Sequence, residues 1–159
     1  MKTSDVTGND NYFETFQPGA VFRHARGKTV EAIDNVQITN LVMNTAEGHF
    51  NEDVMQKQGG IFNRRVSFGG VTIALVVGLA AQDTAENALA ELGMDKIRLR
   101  EPVFHGDTIR ASSRVLGKRP SRSKPDRGIV QLRHEGRNQD GTIVVEIERT
   151  ALFLRQPGS

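Results

Sequence analysis

The stretch GGVTIALVVGLAAQD, residues 69–83, decides the fold of this 159-residue chain. Residues 69–81 are the most apolar part of the sequence, and they are too few for a bilayer span, which needs about 20 residues. Because the stretch is apolar on every face, it predicts a helix that is surrounded by protein. Its β-branched residues leave a buried strand open as an alternative, but its length favours a helix.

The sequence after residue 95 has the alternating pattern of half-buried strands. Runs in which apolar and polar residues alternate lie at positions 97–100, 109–115, 130–134 and 143–148. Turn-rich segments separate the runs, and Asp140-Gly141 in the last of these segments is a strong hairpin signal. The runs therefore predict four antiparallel strands.

Upstream of the apolar stretch the pattern predicts one strand and two helices. Residues 20–30 have moderate strand character, and residues 29–43 predict a helix that Thr29 caps. The apolar stripe of this helix is Ile33, Val36, Leu41 and Val42. Residues 52–60 predict a short helix that ends at Gly59-Gly60.

The order of these elements predicts an α+β hot-dog fold. A helix that is apolar on all sides needs protein around it, and a curved antiparallel sheet is the large element that remains to wrap it. We expect one domain over residues 12–155, preceded by a flexible polar tail at residues 1–11.

The composition is that of a globular chain without thiol chemistry. Hydrophobic residues make up 37% and charged residues 25% of the sequence, which fits a folded rather than a disordered protein. The absence of cysteine excludes disulfides, thiolate metal sites and cysteine nucleophiles. Residues 1–11 lack the apolar core of a secretory signal, so a cytoplasmic protein is expected.

Positive charge is concentrated between residues 110 and 137, where there are nine Lys and Arg but two acidic residues, although the net charge is +2. Such a segment favours an anionic partner or is simply a hydrated surface. Nucleic acid is disfavoured, because the segment contains no Phe, Tyr or Trp on which bases could stack. We expect neither a nucleic-acid nor a membrane partner.

The four histidines are the first candidates for chemistry. His24 reads as a surface residue of an edge strand, His134 as a hydrogen-bonded, partly buried strand residue, and His105 as part of a turn. No close His, Asp or Glu cluster is present, so no metal site is expected. Nucleotide-binding and hydrolase motifs are also absent from the sequence.

His49 differs from the other histidines because Asn44 and Asn51 flank it where a helix ends. A carboxamide can hold an imidazole in the single tautomer that a general base needs. A loop histidine in a polar connection is an equally good interpretation of the same residues.

Gly69 and Gly70 precede the apolar helix and also allow two interpretations. Glycine permits close packing between a helix and a sheet. Alternatively, the free N–H groups at a helix N-terminus form a donor pair for an oxyanion.

Residues 44–51, NTAEGHFN, resemble the motif Asp-x-Asn-Pro-x-His-x-Asp/Asn of the MaoC-like hydratases and dehydratases. These are hot-dog proteins that add water to enoyl-CoA thioesters or remove it. The segment YFETFQPGAVF, residues 12–22, is similar to the family's opening segment. RRVSFGGVTIALVVGL, residues 64–79, resembles the segment that begins the central helix, with Gly69 at the position of the oxyanion-type glycine.

The resemblance covers residues 12–154 and is closest for one subgroup. Residues 102–144, from PVFHGD to NQDGTIV, are very similar to the subgroup of mesaconyl-CoA hydratases. Met43-Asn44 ahead of the histidine is also common in that subgroup.

The chain departs from the family motif at several positions. Asn44 replaces the aspartate that activates water together with the histidine, and a carboxamide has no titrating carboxylate. Glu47 replaces a proline and either restores a carboxylate near His49 or lies on the surface. Phe68 stands where relatives often have His or Asn, so it either narrows the pocket entrance or only packs.

The resemblance implies an acyl-CoA hydratase/dehydratase for a short, branched or dicarboxylic enoyl-CoA thioester. His49 would move the proton, Asn44 would orient the water or the imidazole, and N–H groups at Gly69 and Gly70 would polarise the thioester carbonyl. Asn51 and Glu47 are secondary candidates. Candidates for binding the CoA phosphates are Arg64, Arg65, Lys118, Arg119, Arg122 and Lys124. A homodimer or higher homo-oligomer is expected, with no cofactor beyond the coenzyme A of the substrate.

Two other functions remain open from the sequence. A hot-dog thioesterase would need a carboxylate to activate water, and none lies between residues 66 and 81. A non-catalytic acyl-CoA-binding module is compatible with Asn44 in place of aspartate.

Overall fold

The predicted apolar helix lies against one five-stranded antiparallel sheet in a computed structural model that describes residues 11–57 and 62–158. The helices are α1 (Ala32–Leu41), α2 (Glu47–Phe50), α3 (Glu52–Lys57) and α4 (Gly69–Thr84), with a short 3₁₀ helix at Phe13–Thr15. The strands are β1 (Val21–Thr29), β2 (Ala88–Leu99), β3 (Thr108–Pro120), β4 (Arg127–Arg137) and β5 (Ile143–Leu154).

The sheet has the order β1-β3-β4-β5-β2, and every neighbouring pair is antiparallel. Helix α4 packs against β1, β3, β4 and β5. Residues on β3, β4 and β5 alternate between buried and less buried positions, as the period of a half-buried strand requires. The predicted strand pattern after residue 95 is therefore confirmed for these three strands.

Strand β2 begins at Ala88, well before the predicted alternation, and is the edge of the sheet opposite β1. Its pairing with β5 shifts register at three places, and Lys96 has a positive φ of 48°. Each shift moves the following side chains to the other face, so a simple alternation cannot reveal the strand. Large apolar side chains on this edge strand are exposed: Leu89, Leu92, Met94 and Leu99.

Helix α1 is present, but the prediction of its buried face is wrong. Ile33 is 56% exposed and Leu41 83% exposed, whereas the buried residues of the helix are Asn35 and Thr39. The N-cap is Glu31, which forms a capping box with Asp34, and not Thr29, which ends β1. The inward face of α1 is therefore polar, because it makes hydrogen bonds and does not fill an apolar core.

A chain of four buried polar residues joins α4 to the sheet. Asp83 Oδ2 lies 2.6 Å from His24 Nδ1, His24 Nε2 lies 2.6 Å from Ser113 Oγ, and Ser113 Oγ lies 2.6 Å from His134 Nδ1. All four residues are at most 3% exposed. The interpretation of His24 as a surface residue is thus wrong, and His134 is fully buried rather than partly buried.

The geometry determines which atoms donate along this row of four hydrogen-bonded side chains. With Asp83 ionised and both rings neutral, His24 donates to the carboxylate, so its Nε2 accepts from the Ser113 hydroxyl. His134 then donates through Nδ1, and its Nε2 is a buried acceptor without a partner in the described part of the protein. Burial lowers the pKa of His24, and burial together with the nearby Arg149 lowers the pKa of His134 to about 3.

Two predictions concern residues that are only partly described. The predicted tail falls outside the described residues except for Asn11, which is buried and donates to the Gln82 carbonyl at 3.0 Å. Helix α3 is present, while its predicted end at Gly59-Gly60 lies outside the described residues. Among residues 11–57 and 62–158, no helix has the length and apolar character needed to cross a membrane.

Candidate active site around His49

His49 lies on the short helix α2, and its imidazole is held by a backbone carbonyl. Its Nδ1 is 2.9 Å from the carbonyl oxygen of Val66. A carbonyl can only accept, so Nδ1 carries the hydrogen, and in the neutral ring Nε2 keeps a free lone pair. A second hydrogen bond joins α2 to the segment before α4: the Val66 N–H donates to the Gly48 carbonyl at 3.0 Å. His49 therefore has the tautomer of a general base that acts through Nε2.

Asn35 connects the His49 segment to the start of α4. Its Nδ2 donates to the His49 carbonyl at 2.9 Å, and its Oδ1 accepts from the Phe68 N–H at 2.9 Å. The side chain is 0% exposed, so both bonds are shielded from water. Apolar periodicity does not predict this role of Asn35, although the polar pair of Asn35 and Thr39 at i and i+4 indicates a hydrogen-bonding helix face.

The two asparagines that flank His49 bond to their own turns. Asn44 Oδ1 accepts from the Ala46 N–H at 3.2 Å, and Asn51 Oδ1 accepts from the Val54 N–H at 3.1 Å. In the described part of the chain no hydrogen bond joins either carboxamide to the imidazole. The ring is thus oriented by the Val66 carbonyl, while Glu47 is an exposed first residue of α2.

Gly69 and Gly70 are the first two residues of α4, and both are needed for packing. A Cβ at Gly69 would collide with Leu99, and one at Gly70 would collide with the ring of Phe68. The first N–H groups of a helix have no acceptor within the helix, so these glycines also present backbone donors. Packing and anion binding, the two interpretations of the sequence, are compatible with each other at this position.

A cavity of about 370 Å³ brings His49 and Gly69 together. Its wall is made by His49, Phe62, Val66, Ser67, Gly69, Thr72, Leu99, Arg100, Glu101, Pro102 and Val103. Phe68 is beside it: its ring centroid lies 5.5 Å from that of His49, and the ring covers Gly70. A larger apolar cavity of about 540 Å³ lies between β1, α1 and α4, and its wall contains none of the predicted site residues.

The predicted CoA-phosphate ligands fall into two separate groups. Arg64 stacks on Phe104 at 3.7 Å from the ring centroid, and Arg65 pairs with Glu52 at 3.2 Å; both lie in the segment between the cavity residues Phe62 and Val66. Lys118 donates to the carbonyls of residues 13 and 14 at 3.2 and 3.1 Å. Arg119, Arg122 and Lys124 are exposed beyond it. At about 3.3 Å per strand residue, Lys118 of this second group lies roughly 30 Å along β3 from Thr108, where the strand begins.

No grouping of three His, Asp or Glu side chains in residues 11–57 and 62–158 is suited to a metal ion. The described residues of the cavity wall and its surroundings offer an imidazole, backbone donors, the hydroxyls of Ser67 and Thr72, the carboxyl group of Glu101 and nearby cationic side chains. The His49 imidazole and the N-terminus of α4 at Gly69 therefore meet at one cavity, where a proton acceptor and a backbone donor are available together.

Comparison with known proteins places this site in a family context. The family described as mesaconyl-CoA hydratase matches residues 5–155. The chain is 31% identical to a beta-methylmalyl-CoA dehydratase of Chloroflexus aurantiacus over 94% of this chain and 46% of that protein. It is 27% identical to a mesaconyl-CoA hydratase of Haloarcula hispanica over 98% of this chain and 43% of the relative. The chain thus spans less than half the length of the curated relatives it matches.

A solved structure identifies the fold. A protein of Mycobacterium tuberculosis with a double hotdog fold superposes with a TM-score of 0.84 over 93% of this chain and 45% of that one, at 21% identity. At this identity the similarity concerns the fold alone. The hot-dog fold predicted from the order of elements is confirmed.

Proposed function

This chain belongs to the mesaconyl-CoA hydratase family, and from that premise we propose that it is an acyl-CoA hydratase/dehydratase. Its substrate in this proposal is a short, branched or dicarboxylic enoyl-CoA thioester. The observation that carries the proposal is the position of His49, whose Nδ1 is bound to the Val66 carbonyl while the ring lines a cavity that also contains Gly69.

In the proposed reaction His49 acts as base and then as acid. Its Nε2 removes a proton from water as the water oxygen bonds to the β carbon of the enoyl group. The electrons of the double bond move toward the thioester, where N–H groups of Gly69 and Gly70 at the start of α4 stabilise the enolate oxygen. His49 then returns the proton to the α carbon, and dehydration follows the reverse path. Asn44 supports this geometry by closing the turn before α2.

The coenzyme A part of the substrate would meet cationic side chains. Arg64 and Arg65 lie near the cavity in the same chain and are the proposed phosphate ligands. Lys118, Arg119, Arg122 and Lys124 are too distant to act on the same molecule from this chain, so they would contribute only from another copy.

A second hot-dog unit would cover the edge of the sheet that β2 forms. The edge strand β2 exposes Leu89, Leu92, Met94 and Leu99 and leaves backbone groups unpaired on one side. Pairing β2 with a second copy would bury these apolar side chains and satisfy the edge. The homodimer is therefore part of the proposal, and sedimentation velocity tests it: a monomer at micromolar concentration would contradict it.

The activity is tested with crotonyl-CoA, mesaconyl-CoA and itaconyl-CoA by following loss of the enoyl absorbance. We expect turnover of at least one ester, and loss of most of that rate in His49→Ala, because general acid–base catalysis contributes about 10²–10⁴-fold. Unchanged hydration by His49→Ala would show that the proposed base is wrong. Release of free thiol without hydration would instead identify a thioesterase, which the absence of acidic residues in the first turn of α4 disfavours.

A non-catalytic acyl-CoA-binding module is the second candidate, and the geometry of Asn44 favours it. The residue at the position of the family's aspartate accepts a hydrogen bond from its own turn and has no titrating group. Saturable binding of the three esters without turnover would support this function. A rise in hydration rate in Asn44→Asp would show that the asparagine limits an existing activity.

A further inference from the structure

Ser67 carries a buried hydroxyl for which residues 11–57 and 62–158 provide no partner. The residue is 4% exposed, and its Oγ makes no hydrogen bond within the described part of the protein. A buried polar atom left in this state costs about 1–3 kcal/mol. Such an atom calls for a partner from outside the chain, and Ser67 lines the same cavity as His49.

The backbone around Ser67 is fixed on every side. Its N–H donates to the Val103 carbonyl at 2.8 Å, and the next N–H, that of Phe68, donates to Asn35 Oδ1. The preceding residue, Val66, accepts from the His49 ring. One short segment therefore sets the positions of both the imidazole and the Ser67 hydroxyl, as a preorganised site requires.

Water that adds to a double bond needs two acceptors to be oriented, one for each of its hydrogens. His49 Nε2 can take one hydrogen, and Asn44, whose oxygen accepts from the Ala46 N–H, is not among the described residues of the cavity wall. Among the described residues of the cavity wall, the other side-chain oxygens are those of Ser67, Thr72 and Glu101. Of these three, the Ser67 oxygen is the one that is buried without a partner in the described part of the protein.

We propose, on the basis of the function proposed above, that Ser67 binds the oxygen that is added to or removed from the substrate. Its Oγ accepts a hydrogen bond from one O–H of the water, while His49 removes the proton of the other O–H. The water O–H bond breaks, the new C–O bond forms at the β carbon, and the proton passes from His49 to the α carbon. In the product, the 3-hydroxyl group remains hydrogen-bonded to Ser67.

The test compares ligands with and without that hydroxyl. Binding is measured by calorimetry in a His49→Ala background, which prevents interconversion of the esters. The saturated esters are butyryl-CoA and methylsuccinyl-CoA, and their hydroxylated counterparts are 3-hydroxybutyryl-CoA and β-methylmalyl-CoA. We expect Ser67→Ala to weaken the hydroxylated ester about tenfold, the value of one hydrogen bond, and the saturated ester less than about twofold. Equal losses for both ligands, or no loss, overturn the proposal.

Stability separates this role from a structural one. Removing an unsatisfied hydroxyl relieves a cost, so the midpoint of urea unfolding of Ser67→Ala without ligand should equal or exceed that of the parent. A lower midpoint would mean that Ser67 has a partner within the folded protein, and it would overturn the proposal. Ser123→Ala, an exposed serine in the β3–β4 turn, is the matched control and should change neither binding nor unfolding.

Turnover measurements keep the two proposals apart. Suppose that the parent hydrates an enoyl-CoA, that Ser67→Ala hydrates it equally fast, and that the substitution weakens the hydroxylated and saturated esters equally. The proposed role of Ser67 is then overturned, while the proposed function is supported. If the parent hydrates none of the three esters but Ser67→Ala still weakens binding of the hydroxylated ligand alone, the proposed function is overturned, and Ser67 is a hydroxyl-binding residue whose ligand oxygen takes no part in hydration.

Discussion

The buried chain of Asp83, His24, Ser113 and His134 predicts that the protein loses stability as the pH falls below neutrality. His134 has a pKa of about 3 in the folded protein, against an ordinary value of 6.5. The unfolded chain therefore binds more protons than the folded protein between these two values, and acid favours unfolding. The contribution of neutral, buried His134 to the free energy of unfolding is fully present above pH 6.5 and is lost progressively as the pH falls toward 3.

The magnitude follows from the pKa difference of His134. Each pH unit below 6.5 lowers the free energy of unfolding by about 1.4 kcal/mol, so the loss at pH 5 is about 2 kcal/mol. That loss is a large share of the stability of a typical domain, about 5–15 kcal/mol. His24, whose pKa is also lowered by burial, changes stability in the same direction.

The assay is urea unfolding between pH 7.5 and 4.5, followed by far-ultraviolet circular dichroism because the chain has no Trp and one Tyr. His134→Gln retains an amide donor for Ser113 but does not titrate. We expect its free energy of unfolding to depend less on pH than that of the parent, by about 1.4 kcal/mol per unit below pH 6. Carboxylates such as Glu14 and Glu148, whose pKa values are lowered, act in both proteins and cancel in the difference. Parallel curves would refute the reasoning.

Three further substitutions test individual contacts. Asn35→Ala leaves the Phe68 N–H and the His49 carbonyl unpaired, so urea unfolding should show a loss of about 2–3 kcal/mol; a loss below 0.5 kcal/mol would contradict this. Gly70→Ala displaces the Phe68 ring beside the imidazole, so kcat/KM should fall, and unchanged kinetics would count against the contact. Arg149→Met, which removes the buried partner of Glu91, should lower unfolding stability by about 2 kcal/mol, and an unaltered urea midpoint would show a dispensable pair.

The parts of the fold that the sequence predicted are those in which apolar burial follows the period of one element. Helix α4 and strands β3 to β5 are of this kind, since Val130 and Leu132 alternate toward the core as a half-buried strand requires. The face of α1 could not be predicted in this way, because Asn35 and Thr39 are buried through hydrogen bonds and Leu41 is exposed. Periodicity of hydrophobic residues carries no information on buried polar partners.

The candidate site was predictable only where a motif marked it. The residues around His49 and Gly69 leave a catalytic and a structural interpretation open, the resemblance to the family motif favours the catalytic one, and the two residues line one cavity. The Val66 carbonyl that orients the ring could not be found, because a backbone atom leaves no trace in residue identity. His24 alternates with charged neighbours, which is a surface pattern, and its partner Asp83 is 59 positions away, so their pairing appears only when the chain is folded.

The N-terminal end of helix α4 borders the cavity, whereas its C-terminal end anchors the helix to the sheet through Asp83. At about 1.5 Å per residue, its 16 residues place the Asp83 anchor roughly 20 Å from Gly69. Substitutions that far apart without shared partners usually add in their effects on stability. Changes at Ser67, Thr72 or Leu99 can therefore remodel the cavity while the Asp83 end keeps the helix in place. In a protein divided in this way, the preference for one acyl group over another can change by substitution at the cavity, without compensating substitutions that restore the stability of the fold.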